Sequence, residues 1–108
     1  MTADQRAVHR AASKLVGDVE VAGELRALVH EAVREIAAMC DGALEKDGIG
    51  FSKIDTRLGR GLAALQSLND KQAWLCVRLA KTYRRQLPDD LRDRIAVVIG
   101  DTLDKKEA

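Results

Sequence analysis

A chain of 108 residues, 46% apolar and 32% charged, reads as one small folded domain, too short for a two-lobed enzyme and too apolar to be disordered. Only 3% of the residues are aromatic, so the core has to come from Leu, Val, Ile and Ala, a composition that favours helix. The net charge of +1 conceals an asymmetry: residues 1–52 carry six Lys/Arg against nine Asp/Glu, a balance of −3, whereas residues 53–94 carry ten against five, a balance of +5. A basic third quarter of this kind points to a polyanion.

The first helix is expected to start at Thr2 or Ala3, capped by Thr2, with Asp4 at its positive end. Val8, Ala11, Ala12, Leu15 and Val16 recur at helical spacing until Gly17 stops the run. From Glu24 to about Leu44 a broad apolar stripe of Leu25, Leu28, Val29, Ala32, Val33, Ile36, Ala37, Met39, Cys40 and Leu44 predicts a second helix, closed by Asp47-Gly48. That stripe is wide enough to serve a homodimer as well as a core. A third helix is predicted after Ser52, which with Asp55 resembles a capping box. Its Ile54, Leu58, Leu62 and Leu65 form one face and Lys53, Arg57 and Arg60 another. Asn69 caps a fourth helix from 70 to about 86, and Pro88 breaks the chain before a fifth that starts at Asp89 or Asp90. The run Ile95–Ile99 has strand composition, but it lacks a partner strand and is read as helix. The expectation is a single all-α domain over 1–108, a compact bundle of about five helices with 104–108 frayed.

Residues 48–62, GIGFSKIDTRLGRGL, hold four of the eight glycines and the only phenylalanine. A phosphate loop would need Gly-Lys-Ser/Thr, and a dinucleotide fingerprint would need a preceding strand; neither is present. The segment reads instead as a corner between helices, with Gly48 and Gly50 turning the chain and Phe51 packing beside a Ser52 cap. Gly59 and Gly61 each cost about 1 kcal/mol relative to Ala inside a helix, so a close approach is expected there, by another helix or by a ligand.

No metal or cofactor is expected. His9 and His30 fall on different helices, and His30-Glu31-Ala-Val-Arg34 lacks the second histidine of a zinc-protease helix. His30 reads as a helix-surface or boundary residue. Cys40 and Cys76 have no zinc or redox spacing and read as reduced, mostly buried thiols. No apolar run reaches the length of a membrane span and no signal peptide is visible, which predicts a cytoplasmic protein. No catalytic constellation emerges, and the chain is expected not to be an enzyme.

The basic residues carry the signal. Lys71, Arg78 and Arg85 repeat every seven residues, and Lys81 lies close to that side. Together with Lys53, Arg57 and Arg60, and with Arg84, they would form a basic helix pair if the two stripes were adjacent. The opposing possibility is a solvated face balanced by Asp89, Asp90 and Asp93. Trp74 and Tyr83 read as core.

The strings GIGFSKIDTRLGRGLAAL and LNDKQAWLCVRLAKTYRRQLP, spanning residues 48–88, resemble a helical segment of bacterial and phage DNA helicases and other replication or repair proteins. There a Gly-x-Gly-Phe-Asn-x-x-Asp start leads into a Gly-x-x-Leu-Ala helix, then Leu-Ser-x-Lys-Gln and Lys-Tyr-Arg-Arg-Gln-Leu. Gly48, Gly50, Phe51, Asp55, Gly59 or Gly61, Leu62 and Ala63 match the first part. Lys71, Gln72, Lys81, Tyr83, Arg84, Arg85, Gln86 and Leu87 match the second, with Thr82 inserted between Lys and Tyr. Ser52 stands where the pattern has Asn, and Asn69-Asp70 replaces part of the Leu-Ser turn. With no helicase motor motif in the chain, the resemblance implies an accessory module near DNA, with Arg84 and Arg85 as first contacts and Lys81 and Arg57 next. The expected function is non-catalytic contact with DNA or RNA phosphates, or with a protein of a DNA-processing assembly. The alternative is a protein-binding adaptor or inhibitor of phage or mobile-element type that uses the same face.

Overall fold

The computed structural model describes residues 2–15, 17, 21, 23–42, 51 and 55–99, the side chains of 39–42 and 99 excepted. Among these the chain is all-α: α1 Ala3–Ser13, α2 Gly23–Gly42, α3 Thr56–Ala64, α4 Asp70–Thr82, a 3-10 turn Arg84–Gln86, and α5 Asp89–Ile99. The β-branched run 95–99 is helical. The corner glycines Gly48 and Gly50, the Ser52 cap, Lys53, the end of the second apolar stripe at Leu44 and the segment 104–108 lie outside the described residues.

Two helices start on reciprocal caps. Thr2 Oγ1 accepts from Gln5 N while Gln5 Oε1 accepts from Thr2 N, and Asn69 with Gln72 repeats the arrangement at α4. Each pair satisfies two N–H groups that a helix start would otherwise leave unbonded. After α1, Gly17 takes a φ of +85°, a left-handed conformation that glycine reaches without a Cβ penalty.

Helix α2 is the centre of the bundle and packs on α3, α4 and α5, while α1 packs mainly on α3. Its Val29, Ala32, Val33 and Ile36 have no exposed surface, and they meet Leu62 of α3, Ala73 and Cys76 of α4, and Ile95 of α5 in one core. Burying a side chain of Val or Ile size contributes about 1.5–3 kcal/mol. A second stripe of α2, Arg26, His30 and Arg34, is spaced every four residues and serves a different purpose. Arg34 Nε donates to Ala63 O (3.1 Å) and its Nη2 to Leu65 O (2.8 Å). His30 Nε2 bonds Leu62 O at 3.0 Å, and Arg26 Nη1 donates to Leu68 O at 3.0 Å. One face of α2 thus bonds carbonyls at the end of α3 and in the following loop, where Leu62 O also accepts from Leu65 N. His30 is therefore buried, at 7% exposure, not the surface residue its sequence context suggests.

Gly59 and Gly61 are packing residues. A Cβ at Gly61 would stand 2.6 Å from Asp4 O and from Val8 Cγ2 of α1, and one at Gly59 would collide with the edge of the Phe51 ring. That ring sits edge-on to Tyr83, with centroids 5.2 Å apart and planes at 87°, and Tyr83 Oη donates to Asp55 Oδ2 at 2.6 Å. Phe51, Asp55, Gly59 and Tyr83 together form a joint that ties the start of α3 to the end of α4. Asp55 stands at the N-cap of α3, its carboxylate makes no cap bond to that helix, and it accepts the Tyr83 hydroxyl; the predicted box with Ser52 lies outside the described residues.

This joint also explains why α4 ends at Thr82 and not near 86. Tyr83 leaves helical geometry (φ −108°, ψ 25°), its ring held by Phe51 and Asp55, and Arg84 Nη1 turns back to donate to Lys81 O. Pro88 removes the next opportunity to resume the helix.

Candidate functional site

A groove of about 640 Å³ runs between α1, α3 and α4. Arg10 of α1, Lys14 at its C-cap, Arg57 of α3 and Arg78 of α4 line it, together with Asp55; Leu15, Leu58, Leu75 and Leu79 supply its apolar lining. Among the described residues none of these four cations forms an ion pair. Among the described residues Asp55 is the one carboxylate in the lining, and it accepts the Tyr83 hydroxyl. Two of the three carboxylates expected to balance the face are engaged elsewhere: Asp89 pairs with Arg92 at 2.9 Å and Asp90 lies 3.8 Å from Arg94, both within α5.

The eight cations picked from the sequence separate. Arg57 and Arg78 meet in the groove. Lys71 is half-buried, and its Nζ donates to Leu15 O at 3.4 Å, a long bond at the end of α1. Lys81 is exposed on α4. Arg60 is exposed on α3 but does not line the groove. Arg84 and Arg85 sit on the 3-10 turn, so Arg85 departs from the seven-residue register of Lys71 and Arg78. Lys53 lies outside the described residues. The two stripes do not merge into one face, because α1 packs against both helices and supplies the cations that complete the groove.

Arg10 and Lys14 are the residues that sequence reading missed. Their signal was local: Arg6, Arg10 and Lys14 recur every four residues on α1, and summing charge over residues 1–52 hid them among distant carboxylates. Trp74 is the second difference. It is 37% exposed on α4 and not part of the core.

A shallower depression beside Arg26, His30 and Arg34 is different in kind. Its cations are used on backbone carbonyls and on Asp70, which Arg26 Nη2 meets at 2.6 Å. Among the described residues no cluster of His, Cys, Asp or Glu could hold a metal ion, and no helix is long and apolar enough to cross a membrane. Comparison with protein-family models, with curated proteins and with solved structures gives no match for this chain.

Proposed function

We propose that the protein is a non-catalytic helical module that holds the phosphate backbone of a nucleic acid along the α1/α3/α4 groove, within a nucleic-acid-processing assembly. The observation that carries this reading is the convergence of Arg10, Lys14, Arg57 and Arg78 from three helices on one groove without carboxylate partners among the described residues. Arginine suits the task because its guanidinium forks onto phosphate oxygens. Contacts to phosphate fix position without reading sequence, so affinity varies little between sequences and falls steeply with salt.

Fluorescence anisotropy with a labelled oligonucleotide over a salt series tests this. Four phosphate contacts predict a slope of log K against log salt of about −3, and Arg57→Gln lowers its magnitude by about 1. Absence of binding at low salt overturns the reading. A second reading follows from the leucine lining: cations beside apolar side chains also fit an acidic amphipathic helix of a partner protein. It predicts that such a segment occupies the groove and that oligonucleotides do not.

A further inference from the structure

We infer that the nucleic acid taken by this groove is single-stranded and that one of its unpaired bases stacks on Trp74. The inference rests on the phosphate-binding reading of the groove and adds the class of strand.

The chain has three aromatic residues. Phe51 and Tyr83 are locked against each other in the joint between α3 and α4. Trp74, the largest, remains 37% exposed, although Ala73, Leu75, Cys76 and Val77 beside it are buried. Among the described residues it makes no ring stacking or cation–π contact. Its position on α4 sets its surroundings. Lys71, Trp74, Arg78 and Lys81 are spaced by three, four and three residues and so share one strip of the helix. An indole placed between cations on one strip is the combination that single-strand binding surfaces use, with charge for the backbone and a π-face for the base.

Arg78 belongs both to this strip and to the groove lining. A strand whose phosphate meets Arg78 therefore has the indole about one helical turn away, about 6 Å along the axis. A duplex cannot use that ring, because its bases are stacked on one another and extruding one costs a few kcal/mol. An unpaired strand offers every base face, whatever the sequence.

Trp74 is the only tryptophan, so intrinsic fluorescence reports on this position alone. The full chain is titrated with a thymidine strand of about 12 nucleotides, with a duplex of the same length, and with a strand of the same length lacking bases. The expected result is that the thymidine strand quenches the indole and binds about tenfold more tightly than the base-free strand. Trp74→Ala then weakens the thymidine strand about tenfold and leaves the base-free strand unchanged, with Trp74→Phe close to wild type and circular dichroism confirming the helices. Equal or tighter binding of the duplex without quenching, still lost in Arg57→Gln/Arg78→Gln, overturns the inference and leaves the groove reading standing. Equal affinity for the thymidine and base-free strands also overturns it. If no strand binds at low salt, both readings fall.

Discussion

A methyl group added at Gly61 would meet a backbone oxygen, whereas one added at Gly59 would meet a side-chain ring. The difference sets two outcomes. Gly61→Ala regains about 1 kcal/mol of helix propensity but forces α1 away from α3, and overpacking of this kind costs about 1–3 kcal/mol. With the Asp4 carbonyl as the obstacle the upper part of that range applies, and a net loss of about 1–2 kcal/mol is expected, read as a lower urea midpoint at unchanged slope. Gly59→Ala drives the buried Phe51 ring off Tyr83 and is expected to cost at least as much, through the joint between α3 and α4 instead of through α1. That a close approach occurs at Gly59 and Gly61 is legible in the sequence, since glycine inside a helix costs stability. The neighbours are not, because Asp4 lies on another helix and is brought there by packing alone. At the same scale, Cys76 is fully buried, and burial pushes its thiol up to about 12. In a Cys40→Ser background a thiol reagent is therefore expected to label Cys76 only in urea, not in buffer; labelling of the folded protein at the rate of a free thiol would contradict its placement.

At the scale of elements, the caps of α1 and α4 and the apolar stripe of α2 were legible because each is set by residues within a few positions of one another. The stripe Arg26, His30 and Arg34 was not, since its acceptors are carbonyls of residues 62 to 68. The end of α4 was missed for the same reason: Tyr83 answers to Phe51 and Asp55, which precede it by 32 and 28 residues. The buried imidazole has a measurable consequence. Burial holds the pKa of His30 below its ordinary 6.5, with the Arg34 charge acting in the same direction and the bond to Leu62 O opposing both. The unfolded chain therefore takes up a proton near pH 6.5 that the folded chain takes up only at lower pH. Stability from this site is fully present above about 6.5 and is lost as pH falls from there through the folded-state value. His30→Gln keeps an amide donor in place of Nε2–H and does not titrate. Between pH 7 and about 5 its urea midpoint is expected to fall less than that of wild type, and parallel curves would rule the site out as a source of acid sensitivity.

Charge summed over the whole molecule is close to neutral, and only the fold reveals that it is sorted. Asp89 and Asp90 of α5 are engaged by Arg92 and Arg94 of the same helix, Asp70 by Arg26 and Asp55 by Tyr83, while four cations of the described residues line the groove between α1, α3 and α4. The basic third quarter is visible in the sequence, but its partner cations on α1 are not, because block sums of charge do not show which helices pack together. Such a groove is a liability in the free protein. Arg57 is the second residue of α3, a cation at the positive end of a helix, where charge of that sign costs about 0.3–1 kcal/mol at low ionic strength. It also faces three further cations across the groove. If these cations are held for a ligand, removing one should stabilise the empty protein. Arg57→Gln is therefore expected to raise the urea midpoint by the equivalent of about 0.3–1 kcal/mol at low salt, while weakening oligonucleotide binding. In 1 M salt, where the screening length is about 3 Å, the gain should shrink towards zero. A scaffold role for Arg57 predicts the opposite sign, a variant less stable than wild type at low salt, and the two signs are separated by one pair of urea titrations at each ionic strength.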